Sequence, residues 1–278
     1  MPQHGFARTS NWVHESSNTE ECSSSDNEKS EESSASVTFS LVDNDTTRAL
    51  WPYSFKLSYV ITLYKDDLKC SLIVKNMGTS PFSVHTLLHT YFKVQDINKV
   101  RVSGFQDRNY VDKLQNSTVC VCGKNVENIE CEVDRVITGN VENEIPQVII
   151  NTGSEEMKGI KESGIEEINT NIEGMKTVFE GIKQENEQTN QNQNENRRRV
   201  TVDVSSTIHN THTNTTTPYP YDIVFWNPWI EKSKTLIDLG DIDYLTFLCI
   251  EPGTVTNWVE VTSDDVLTLT QTLSASSS

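Results

Sequence analysis

Two side chains break apolar runs in this 278-residue chain, and both belong to types that move protons. His89 lies inside Leu87-Leu88-His89-Thr90-Tyr91-Phe92, and Glu251 closes Phe247-Leu248-Cys249-Ile250 just before Pro252-Gly253. In an extended chain alternate residues share a face, so His85, Leu87, His89 and Tyr91 go together, as do Phe247, Cys249 and Glu251. A carboxylate on a buried face is costly unless it is paired, hydrogen-bonded or neutralised. Burial raises its pKa from roughly 4.3 towards neutrality, and histidine starts near roughly 6.5. A pair of that kind is suited to general acid/base work at neutral pH. The bland alternative is a satisfied core or edge histidine and a surface glutamate at a strand end. Spacing alone leaves both open.

Other chemistry-bearing residues carry less. Cys120 and Cys122, with Cys131, could hold a metal, but a strong zinc signature needs two paired ligand sets and only one pair is present. The six cysteines, Cys22, Cys70, Cys120, Cys122, Cys131 and Cys249, read as reduced and mostly buried thiols. The run Arg197-Arg198-Arg199 could bind acidic groups, although short charge runs are usually solvated loop ends.

The elements that must position these residues are strands. Phe55–Leu63 alternates and then runs apolar, and Cys70–Val74 follows an acidic turn at Asp66-Asp67, which together predict a hairpin. Val84–Phe92, Ile223–Trp226, Phe247–Glu251, Asn257–Val261 and Val266–Leu273 read as further strands. Strands separated by Gly, Pro, Asn and Asp, with almost no helix, predict an antiparallel β-sandwich.

The net charge is −17 and only 35% of residues are hydrophobic, low for a compact domain. The dilution is local. Glu15–Ser36 holds seven acidic residues, one Lys and nine Ser, and Thr138–Arg199 holds twelve acidic and seven basic residues. Their charges, −6 and −5, supply −11 of the total. Such composition buries too little apolar surface to offset its ordering entropy. We therefore expect one β domain over residues 1–273, interrupted by disordered insertions at 15–36 and 138–216. Within the second, Met157, Ile160, Ile168, Ile172, Met175, Phe179 and Ile182 recur near helical spacing, but Gly159, Gly164, Gly174 and Gly181 weaken that helix. The acidity argues against nucleic acid as partner. No apolar run nears the roughly 20 residues that span a bilayer, and the N-terminus has no apolar signal core, so a cytoplasmic location is expected.

Five motifs in order carry a resemblance: Pro2-Gln3-His4-Gly5-Phe6-Ala7-Arg8, His89-Thr90-Tyr91-Phe92, Glu132-Val133-Asp134-Arg135-Val136, Asn227-Pro228-Trp229-Ile230-Glu231-Lys232 and Cys249-Ile250-Glu251-Pro252-Gly253. The set resembles the hexose-6-phosphate mutarotases (glucose-6-phosphate 1-epimerases), a branch of the aldose 1-epimerase, or galactose mutarotase-like, family. The resemblance implies a large antiparallel β-sandwich with the sugar site on a concave face. It implies acid/base interconversion of the α and β anomers of a hexose 6-phosphate with no metal or organic cofactor, by a chain expected to work as a monomer. By resemblance Glu251 is the base and His89 the acid, and Gln3, Arg8, His4 and Asp134 bind substrate. Arg8 suits phosphate because its guanidinium fork matches phosphate oxygens. Asp134 would otherwise read as a surface Asp-Arg pair. Trp226, Pro228 and Trp229 read as site wall or sheet packing. Family members carry opening strands, with a further Arg, before the Gln-His-Gly-Phe-Ala-Arg motif. Without them, a non-catalytic sugar-phosphate-binding or interaction protein is the alternative expectation.

Overall fold

A computed structural model describes residues 4–20, 33–124, 126–139, 147–152 and 198–277. Seventeen strands occur among them: β1 (Val13–Glu20), β2 (Ser34–Val42), β3 (Phe55–Leu63), β4 (Asp67–Asn76), β5 (Phe82–Leu87), β6 (Tyr91–Lys93), β7 (Arg101–Ser103), β8 (Asn109–Asp112), β9 (Thr118–Val121), β10 (Val126–Asn128), β11 (Val133–Ile137), β12 (Val148–Asn151), β13 (Arg198–Asn210), β14 (Thr215–Pro218), β15 (Asp222–Asn227), β16 (Phe247–Val261) and β17 (Asp265–Ser277). They form two antiparallel sheets. One is ten-stranded, in the order β1-β2-β3-β4-β17-β13-β12-β7-β10, with β14 on β13. The other is seven-stranded, in the order β5-β16-β15-β11-β8-β9, with β6 on β16. Among the described residues helix is confined to two short pieces, α1 (Asp45–Leu50) and α2 (Trp229–Ser233), and a few 3-10 turns. The expected antiparallel sandwich is therefore the fold.

The core lies between the sheets. Leu248 and Ile250 from β16 and Ile223 and Phe225 from β15 meet Val102, Val202 and Leu269 from the larger sheet, all essentially without exposure. Because strand residues alternate, their neighbours Cys249, Glu251, Val224 and Trp226 project from the other face of the smaller sheet. The β3–β4 hairpin forms as the sequence predicts. Leu63 pairs with Leu68, and the Tyr64 N–H donates to the Asp67 carbonyl at 2.8 Å.

Three expectations change. First, strands run into both spans expected to be disordered. Glu15–Glu20 completes β1 and Ser34–Ser36 opens β2, while β12 and β13 fall inside 138–216 and β14 begins there. β1 is almost wholly exposed, yet it pairs with β2 along its length. Backbone pairing at a sheet edge needs no apolar side chain, so polarity alone did not exclude a strand there. The amphipathic stretch from Met157 to Ile182 lies outside the described residues. Second, Arg198 and Arg199 are strand residues of β13 and not a loop end, and the Nε of Arg199 is buried. Third, of the five described cysteines only Cys122 and Cys249 are buried, and Cys131 is exposed.

Candidate active site

Glu251 does not end a strand. β16 runs for 15 residues straight through Glu251-Pro252-Gly253, and Glu251 is only 3% exposed. Both partner strands of β16 pair there: Val224 of β15 lies opposite Glu251, and Leu87 of β5 opposite Gly253. A Cβ on Gly253 would collide with the Thr86 carbonyl, so glycine permits β5 to come this close.

Pro252 accounts for the position of His89. The run Val84–Phe92, predicted as one strand, is two: β5 ends at Leu87 and β6 begins at Tyr91, both on β16. The Leu88 N–H donates to the Pro252 carbonyl at 2.9 Å, but Pro252 has no N–H to return. The Leu88 carbonyl instead accepts from the Thr90 N–H at 3.1 Å. That bond turns the chain at His89 and lifts its ring over the sheet opposite Glu251. The turn is tied to the larger sheet by Thr90, whose hydroxyl donates to Oε1 of buried Gln271 at 2.7 Å.

His89 Nε2 lies 3.3 Å from Glu251 Oε1. The ring stacks on Tyr91 (centroids 4.9 Å, planes 14° apart) and meets Trp226 edge-on at 6.1 Å and His4 at 6.0 Å. Trp226 is thus site wall, whereas Trp229 packs on Tyr244 and the core. Asp134 of β11 pairs with Trp226, which pairs in turn with Cys249, so all three share the outer face with Glu251. Arg8 sits exposed on the 3-10 turn Ala7–Thr9, near enough for its charge to act on both His89 and Tyr91. Gln3 lies outside the described residues. His85 is not brought in: it stacks on Trp258 at 3.8 Å. Tyr91 and Cys249 complete the wall. The alternation of their strands was the one signal that could have found them.

Burial drives the electrostatics. It pushes the Glu251 carboxyl up to about 8, and the neighbouring Asp134 charge adds to the rise. Asp134 is itself raised by burial. Burial depresses His89, and the nearby His4 and Arg8 depress it further, against a backbone hydrogen bond that raises it. At neutral pH the pair therefore rests with a neutral imidazole and a protonated carboxyl. The resting proton sits on the residue expected to act as base. Imidazolium with carboxylate is the tautomer of the same charge, so the two groups together hold one proton across the neutral range. One acid and one base facing the same space can open and close a hemiacetal ring.

The model of the aldose 1-epimerase family matches residues 1–274. The chain belongs to the aldose 1-epimerase family. A Cenchrus ciliaris protein named "Putative glucose-6-phosphate 1-epimerase" is 26% identical over 263 residues, which is 92% of this chain and 59% of that protein. A Salmonella typhimurium protein of the same name is 29% identical over 136 residues, 49% of this chain and 40% of its own. The chain thus spans about half the length of these relatives. A solved Salmonella typhimurium structure described as a "putative mutarotase (YeaD)" superposes with a TM-score of 0.68 at 22% identity, covering 100% of this chain and 69% of that one. A galactose mutarotase-like protein from Clostridium acetobutylicum superposes with a TM-score of 0.58 at 13% identity, covering 99% and 69%. Both show the fold.

Proposed function

We propose that the chain is a hexose-6-phosphate mutarotase that interconverts the α and β anomers of D-glucose 6-phosphate. The observation that carries this reading is the 3.3 Å approach of His89 Nε2 to Glu251 Oε1, at a carboxyl whose pKa burial has moved into the neutral range. Family membership and the names of the relatives support the reaction class and the substrate.

In the reactive tautomer Glu251 takes the proton of the C1 hydroxyl while His89 gives one to the ring oxygen. The C1–O5 bond breaks and leaves the open-chain aldehyde. Rotation about C1–C2 presents the other carbonyl face. The O5 hydroxyl then attacks C1, returning its proton to His89, as Glu251 protonates the new C1 oxygen. Every proton borrowed is restored, and no electron leaves the sugar. Arg8 takes the phosphate, with Gln3, His4 and Asp134 on the hydroxyls. All these residues belong to one chain, so we take the monomer as the working unit. We place it in the cytoplasm, where hexose phosphates are made and consumed.

The test is anomer exchange of glucose 6-phosphate, followed by magnetisation transfer between the two anomeric protons and corrected for the spontaneous rate. Acceleration by the purified folded chain is expected. Binding to the sugar phosphate with no acceleration over buffer would instead support the non-catalytic reading.

A further inference from the structure

Besides the acid/base pair, the site holds a thiol that the proposed reaction does not use. Cys249 lies two residues before Glu251 on the same face of β16 and is fully buried. One ligand atom each from His89, Cys249 and Glu251 lie within 4.8 Å of one another. Among the described residues this is the one group of three or more such side chains so gathered; Cys120, Cys122 and Cys131, which the sequence offered as a metal set, do not form one.

We propose that His89, Cys249 and Glu251 form a binding site for a borderline-soft divalent cation, with Zn2+ as the natural fit, laid directly over the acid/base pair. The set is one imidazole nitrogen, one sulfur and one carboxylate oxygen. Three protein ligands of those types with a fourth position left for solvent or a sugar hydroxyl suit tetrahedral Zn2+. The nitrogen and sulfur donors disfavour Mg2+ and Ca2+, which take oxygen. His89 Nε2 and Glu251 Oε1 already stand 3.3 Å apart, a separation that tetrahedral zinc accepts, and the Cys249 sulfur lies within 4.8 Å of the ligand atoms of both. As the metal–sulfur bond forms, the thiol proton leaves to solvent, and the carboxyl proton likewise. The bound cation then occupies the nitrogen and oxygen that would handle the sugar's protons, so it acts as an inhibitor of the proposed reaction. Its binding does not depend on that reaction taking place.

The experiment titrates the full chain with Co2+ as a spectroscopic stand-in for Zn2+. We expect a thiolate-to-cobalt charge-transfer band and tetrahedral visible bands at one Co2+ per chain, bleached by Zn2+ and untouched by Mg2+. Cys249→Ser loses the charge-transfer band, and His89→Ala, altered at a partly exposed side chain that need not disturb folding, weakens Co2+ binding. Cys120→Ser and Cys131→Ser keep the full spectrum. No band in the unaltered chain, or a band that survives Cys249→Ser, overturns the site. A cobalt spectrum from a chain with no epimerase activity would uphold the site and sink the mutarotase reading, so the two failures are distinguishable.

Discussion

Along β16, Leu248 and Ile250 point into the inter-sheet core while Cys249 and Glu251 point out of the other face, and all four are at most 3% exposed. Equal burial produces opposite outcomes. The inward pair removes apolar surface from water and holds the sheets together. The outward pair is shut in under the turn at His89 and the aromatic rings, and there burial changes protonation instead of adding cohesion. One face keeps the fold together and the other raises the pKa of a carboxyl, although the residues alternate one by one.

The largest expected break in that contrast is Glu251→Gln. It should slow anomer exchange by about 100-fold or more, the range of a lost general acid/base group, while glucose 6-phosphate still binds. Glu251 should also burden the fold as pH rises. Its folded pKa, about 8, lies above the unfolded value, so the raised pKa stabilises fully below about 4.5 and that contribution is lost by about pH 8. Each unit is worth about 1.4 kcal/mol. In urea melts the Gln variant should therefore gain stability relative to the parent as pH rises from 4.5 to 8. A constant difference between the two across that window would show that Glu251 is not shifted.

Ile250→Ala tests the other face. It should destabilise by about 2–5 kcal/mol through cavity formation, with the position of the pH profile unchanged in the protein that remains folded. A displaced profile would mean that the two faces are not independent.

The pH profile itself sharpens the comparison. If the pair works with one proton, kcat/KM should be bell-shaped, with its alkaline limb near 8, where the last proton leaves, and its acidic limb below the ordinary histidine value. Asp134→Asn removes a charge that raises Glu251, so the alkaline limb should move to lower pH by less than about one unit. A limb that stays put would separate Asp134 electrostatically from Glu251. The smallest effect expected is from Thr90→Val, which removes the bond to Gln271 and should cost about 1 kcal/mol in stability. A several-fold loss of kcat with KM unchanged would add that the bond aims His89.

Much of this was legible in the chain. Period-two alternation marked β3 and β17, an apolar run marked β15, and apolar runs interrupted by polar residues marked both His89 and Glu251. The Asn-, Glu- and Ser-rich stretches marked out more chain than the strands allow, since β1, β2, β12 and β13 reach into them. Edge strands such as β1 satisfy their backbone through partners and can be written in polar residues. Arg199 fell to the same effect: it pairs with β12 on one side and β17 on the other, and its Nε is buried.

By itself, then, the sequence determined the antiparallel class, the ordered set of family motifs, and the presence of a histidine and a glutamate where apolar residues were expected. Only the tertiary structure decided that the two meet, that Pro252 breaks the ladder beside Glu251, and that Asp134 joins the face that Cys249 and Glu251 share. The physical reason is that a pKa and a contact both depend on what surrounds a side chain in space. His89 and Glu251 are far apart in the chain, and nothing local to either states how deeply the other's neighbours will bury it.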